Sequence, residues 1–173
     1  MQKASDAVVM TWPVRVKMGE IVIRARDEAP EGLSIRGLGS CVAVFIYDKR
    51  LLRVAGMAHV LLPQPAERSP LTTPGNFAPT AVAALIDGLM QRGLARKDMA
   101  AKLTGGAHMF TSSKPDHESL GERNIRAVLE ALDRERIEVV GMEVGGSCGR
   151  SVVARISTGG MRITSLRREP TDL

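Results

Sequence analysis

Aromatic side chains are scarce in this chain, with one Trp, one Tyr and three Phe among 173 residues. Proteins that hold single-stranded nucleic acid stack successive bases on such rings, and here there is little to stack on. The 24 Lys and Arg exceed the 19 Asp and Glu to leave a net charge of +5. The basic residues are scattered rather than blocked, so nucleic acid is not an expected partner. The surplus suits an acidic partner or an ordinary solvated surface. Histidine and cysteine are nearly as rare. His59, His108 and His117, with Cys41 and Cys148, offer no spaced zinc ligand set and no Cys-x-x-Cys motif. Neither a metal nor another cofactor is expected, and two cysteines do not make a disulfide framework.

Long apolar runs are missing as well. None approaches the ~20 residues of a membrane-spanning helix, and Met1 to Asp6 lacks the apolar core of a secretory signal. The expected location is the cytoplasm. What remains is a globular composition, 44% hydrophobic, in a length that suits one domain with a real core.

Strand-like runs at Ile21 to Ile23, Leu33 to Ile35, Val42 to Tyr47 and Leu51 to Leu62 come first. The run from Leu33 is read as one strand interrupted by Gly37 and Gly39 before Cys41. A proline-punctuated segment from Pro63 to about Ala78 reads as a mobile lid or a surface insert. Val82, Leu85, Leu89 and Met90 fall at helical spacing, and Gly93 is placed to end that helix. Ala101 to Leu103 is a short strand, and Thr111 to Glu118 a loop. Ser119 and Glu122 form a capping-box pattern opening a second helix to about Glu135. Strands follow at Ile137 to Val144, Ser151 to Ser157 and Arg162 to Leu166, the last two flanking the hairpin signal Thr158-Gly159-Gly160. With the helices grouped mid-chain, the order favours an α+β layered domain with a mixed, largely antiparallel sheet. Residues 1–17 are expected to be an irregular lead-in, 18–166 the domain and 167–173 a polar tail.

The stretch from Gly37 to Pro63 carries the chemistry. Two glycines and a serine deliver Cys41 to the start of an apolar strand, and Asp48-Lys49-Arg50 supplies the turn before a second run bearing His59. A connection between neighbouring strands sets the two side by side, and a thiol beside an imidazole is the minimum for nucleophilic acyl chemistry. Backbone N–H groups around Gly39 and Ser40 are then candidates for stabilising an oxyanion. The alternative is a core cysteine, because free Cys is among the most buried residue types.

Several blocks together resemble the chemoreceptor glutamine deamidase family, CheD. They are Gly37-Leu38-Gly39-Ser40-Cys41-Val42-Ala43-Val44, Gly56-Met57-Ala58-His59-Val60-Leu61-Leu62-Pro63 and Pro74-Gly75 before the first helix. Further on stand Gly105-Gly106-Ala107-His108-Met109-Phe110, Gly121-Glu122-Arg123-Asn124, and Gly145-Gly146 followed by Arg150-Ser151-Val152. The resemblance runs from about Met18 to Leu166. It implies a cytoplasmic enzyme that converts glutamines of chemotaxis receptors to glutamates, with Cys41 as nucleophile and His59 as general base. It also implies two partners: receptor cytoplasmic helices, through which alone the protein would touch the membrane, and a CheC-type phosphatase.

One position departs from the family pattern. A threonine six residues before the cysteine completes the family's catalytic set, and here that place holds Ile35, which can neither donate nor accept a hydrogen bond. Ser34 is adjacent, but alternation points it to the opposite face. A bulge at Gly37 or Gly39, or a backbone carbonyl against the imidazole, are the two ways around this. The departure also motivates a second function class, a weakly catalytic or non-catalytic module that binds receptors and the phosphatase. The other notable residues read more plainly: Cys148 as a loop thiol, His108 as a surface or structural residue, His117 as solvated, and Met57 and Met109 as filler. Gly105-Gly106 alone is too short to be a phosphate cradle.

Overall fold

Val42 to Ile46 are all buried, so neither face of that strand reaches water, and this sets the layering. The computed structural model describes residues 12–65, 72–108, 118–166 and 168–173. Along the described chain lie β1 (Val14–Arg15), β2 (Ile21–Ala25), β3 (Leu33–Leu38), β4 (Val42–Asp48) and β5 (Val54–Val60). They are followed by α1 (Ala78–Gln91), β6 (Met99–Gly105), α2 (Leu120–Arg134) and β7 (Glu138–Val144), then β8 (Arg150–Ala154), β9 (Met161–Ser165) and β10 (Arg168–Asp172). One sheet has the order β2-β5-β4-β6-β7 and the other β1-β3-β8-β9-β10. Both are mixed: β6–β7 and β1–β3 are parallel, and the remaining pairs are antiparallel. This is the expected α+β class, drawn as two sheets with the helices beside one of them.

The two faces of β4 meet different neighbours. Val42, Val44 and Ile46 join Val82, Leu85 and Leu89 of α1 and Val128 and Leu132 of α2. Ala43 and Phe45 join Leu33, Ile35, Val152 and Met161 of the other sheet. The layers therefore run helices, middle sheet, outer sheet. A strand buried on both faces reads as a continuous apolar run, as Val42 to Tyr47 does. The second helix opens with the capping box, Ser119 N donating to Glu122 Oε2 at 2.7 Å and Glu122 N to Ser119 Oγ at 3.2 Å. No helix among the described residues is long and apolar enough to cross a membrane.

Three expectations change. The run from Leu33 to Tyr47 is two strands in two different sheets, with Gly39 and Ser40 in the crossing between them. The stretch expected to be irregular up to residue 17 contains β1, which pairs with β3. The polar tail forms β10 against β9. Neither strand shows alternation: β1 is two residues long, and every residue of β10 is exposed, including Pro170, which an edge strand tolerates. The end of the proline-rich segment folds back, since Asn76 O accepts from Leu61 N and Leu62 N at 3.2 and 2.9 Å. The rest of the proposed lid, residues 66–71, lies outside the described residues, as does the loop at 111–117.

Candidate active site

Cys41 stands where the chain enters the middle sheet. The β3–β8 register moves from Ile35 opposite Val152 to Leu38 opposite Arg150, one residue more on β3 than on β8. This is a β-bulge, and Gly37 sits in it with a φ of 73°. Beyond it, successive carbonyls are tied down. Ala107 N donates to Gly39 O at 2.8 Å and Gly106 N to Cys41 O at 2.8 Å. Between them Asn124 Nδ2 donates to Ser40 O at 2.8 Å. Glycine is required beside this strand end: a Cβ on Gly105 would lie 2.2 Å from Cys41 O. Gly106, with a φ of 67°, turns its own carbonyl onto α2, where a Cβ on Gly121 would meet it at 2.3 Å. That carbonyl is the ladder partner Cys41 N–H would otherwise have. Among the described residues the N–H groups of Ser40 and Cys41 have no hydrogen-bond partner.

His59 comes from the adjacent strand. It lies opposite Ala43; Cys41, two residues earlier and just before β4 begins, packs against the same inter-sheet core as Ala43. His59 N donates to Glu20 O and Gly19 N to His59 O, both at 3.0 Å. Toward β4 the His59–Ala43 pair is therefore the non-hydrogen-bonded kind, with side chains closest and Cα atoms about 4.5 Å apart. The diagonal neighbour is within reach of a long or aromatic side chain. The ring faces the outer sheet and is only 5% exposed.

Electrostatically the pair rests uncharged. Burial pushes the His59 pKa below its ordinary value, and the Val16 backbone offsets this in part by favouring the charged ring. That approach falls short of a full hydrogen bond, for Nδ1 is buried without a partner. Burial pushes the Cys41 thiol up, against a smaller pull from its own backbone. Both shifts oppose a preformed thiolate–imidazolium pair, and no hydrogen bond among the described residues joins Sγ to the ring. A neutral imidazole still carries the lone pair that a general base needs.

The neighbouring candidates divide. Ile35 is 1% exposed and packs in the core between the sheets. Ser34 stays on the opposite strand face and donates its hydroxyl to Val14 O at 3.4 Å. The bulge exists but follows Ser34, so it does not turn that hydroxyl toward the histidine. Of the two ways around Ile35 neither is complete: Nδ1 of the ring has no partner, and the Val16 backbone only favours the charged form. Cys148 lies in the β7–β8 loop, half-buried. His108 N donates to Gly146 O at 2.7 Å, which puts His108 at the same end of the middle sheet. His117 and Met109 lie outside the described residues, and Met57 is core.

Two features escaped the sequence reading. Asn124 is fully buried on the α2 stripe of Val128 and Leu132, and such a polar residue on an apolar stripe was the signal available. The row across the middle sheet also continues from His59 through Ala43 to Thr104 and Glu143. Thr104 Oγ1 donates to Glu143 O at 2.8 Å, and Glu143 pairs with Arg150, which is 4% exposed and also bonds the Gly145 carbonyl. That network staples the outer sheet to the middle one and braces the loop beside Gly105.

The family model described as CheD chemotactic sensory transduction matches residues 61–165. Proteins called probable chemoreceptor glutamine deamidase CheD align along most of the chain. One from Haloarcula marismortui is 37% identical over 172 residues, covering 98% of this chain and 95% of that protein. One from Thermococcus kodakarensis is 34% identical, covering 87% and 91%. The chain belongs to the CheD family. A further CheD relative, from Clostridium botulinum strain Eklund 17B, is 36% identical over 72% of this chain and 77% of its own. Among solved structures, the hypothetical protein YfiH of Bacillus licheniformis aligns at 16% identity with a TM-score of 0.32, over 79% of this chain and 59% of that one. The match is too loose to bear on the CheD fold. The CheD family match itself spans Gly105, Asn124 and Arg150 and begins two residues after His59.

Proposed function

We propose that this CheD-family chain deamidates glutamine side chains of chemotaxis receptors, with Cys41 as nucleophile and His59 as general base. What supports this reading is that His59 lies opposite Ala43, and that Cys41, two residues before Ala43, packs against the same inter-sheet core. The names of the relatives supply the substrate. Because thiol and imidazole both rest neutral, proton transfer accompanies attack. His59 takes the Sγ proton as sulfur bonds to the amide carbon, and the carbonyl oxygen becomes an oxyanion facing the N–H groups of Ser40 and Cys41. The C–N bond then breaks, and the imidazolium gives its proton to the departing ammonia. Water, deprotonated by His59, attacks the thioester; the C–S bond breaks, sulfur recovers the proton, and glutamate remains. The same reading supplies two partners, receptor cytoplasmic helices as substrate and a CheC-type phosphatase.

The test is ammonia release together with the mass of a receptor fragment before and after incubation. Each turnover exchanges NH for O. Cys41→Ala should abolish both signals while Cys148→Ala keeps most of them, and the reverse pattern would refute the assignment. A second reading is favoured by one observation, the buried Ile35 where the family carries threonine. On that reading the protein binds receptor and phosphatase with little or no turnover. Receptor binding without ammonia release by the wild type would select it.

A further inference from the structure

β4 and β5 part at the reactive end. Their last paired residues are Val42 and Val60, after which Leu61 N and Leu62 N turn to Asn76 O. In the fork stand two carbonyls, those of Ser40 and Leu61, and one side chain meets both. Asn124 Nδ2 donates to Ser40 O at 2.8 Å and to Leu61 O at 2.9 Å. Its other polar atom, Oδ1, is buried with no partner. Core packing alone does not select such a residue, since an apolar side chain would complete the helix stripe without an unpaired buried oxygen.

The bond to Ser40 has a geometric consequence. Carbonyl and N–H of one trans peptide point in opposite directions within a plane. Fixing the Ser40 carbonyl in the fork therefore fixes the Cys41 N–H on the far side, where the Gly106 carbonyl has turned away toward α2. We propose that Asn124 is a positioning residue for the reaction: it holds the Ser40–Cys41 peptide so that the Cys41 N–H stays directed at the oxyanion formed on the amide carbon bonded to Sγ. The inference rests on the deamidase reading, and it adds a residue to which that reading assigns no part. Asn124 touches no reacting atom and acts through one peptide plane.

Asn124→Leu, close in volume and apolar, tests it. An oxyanion-hole donor is worth 100- to 1,000-fold, so a misdirected one should lower kcat at least about tenfold, with KM within about twofold. Alkylation of Cys41 by iodoacetamide displaces iodide and develops no oxyanion, so its rate should change by less than about twofold. Unchanged kcat in the folded variant would overturn the inference. So would kcat and alkylation falling by the same factor, which would place the defect in the thiol. A wild type that releases no ammonia refutes the deamidase reading instead. The clamp is then decided by NMR. Slow exchange of the Asn124 side-chain amide protons, with movement of the Ser40 and Cys41 amide resonances in Asn124→Leu, upholds it. Fast exchange overturns it.

Discussion

Replacing Ile35 with Thr places a hydroxyl in the inter-sheet core, the layer that the His59 ring faces. Val14 and Arg15 pair with Leu33 and Ser34, so Val16 lies alongside Ile35, and the Val16 backbone favours the charged form of His59. Nδ1 of that ring is buried without a partner. A threonine hydroxyl there can hold the ring and steady its charged form. A gain of about tenfold in kcat corresponds to roughly 1.4 kcal/mol, within what a hydrogen bond to a charged group supplies. The packing loss resembles Ile→Val, about 0.5–1.5 kcal/mol, provided the hydroxyl finds its partner. Ile35→Val is the control, with the same packing loss and no gain in rate. The assay is ammonia release on receptor fragment, with urea unfolding of both variants. If Ile35→Thr is no faster than Ile35→Val and loses a further 1–3 kcal/mol or so, the hydroxyl is unsatisfied and the reasoning fails.

Three other outcomes follow from the same contacts. If His59 is the base, its depressed pKa puts the acid limb of kcat/KM below the ordinary histidine value of about 6.5; a limb at or above it would mean that another group titrates. The stability sign agrees: the unfolded state binds the proton more readily, so His59's contribution is full above about pH 6.5 and lost as pH falls through its folded pKa, a dependence that His59→Asn should remove in urea titrations. Gly105→Ala forces a Cβ to 2.2 Å from the Cys41 carbonyl at a φ of 112° and should lower stability by more than about 1 kcal/mol as well as activity, read by thermal unfolding and ammonia release. Ser119→Ala removes the cap that opens α2 and should lower stability by about 1 kcal/mol, read by urea unfolding.

The legible parts of the molecule are those where one local rule acts alone. The capping box of Ser119 and Glu122 and the hairpin at Thr158-Gly159-Gly160 are set by their own residues, and both formed as expected. The Asp48 turn likewise made β4 and β5 neighbours and put His59 on the strand beside Cys41. Other features depend on contacts distant in sequence. Nothing in Leu33 to Tyr47 says that Gly39 and Ser40 cross between sheets, because both sheets offer apolar cover and the run reads alike in one or two. Asn124 announced itself only as a polar residue on an apolar stripe; its partners are 84 and 63 residues away. A bulge at Gly37 or Gly39 was foreseeable, and pairing with β8 decided between the two.

The crossing at Gly39 and Ser40 divides labour between two layers. On the proposed mechanism the groups that make and break bonds are His59, in the middle sheet, and Cys41, in the segment that enters it. Val16 and Ile35, which pack in the layer that the His59 ring faces, come from the outer sheet or the strand leaving it. On that mechanism a substitution in the outer sheet should retune the proton affinity of His59 and leave its pairing with Ala43 in place.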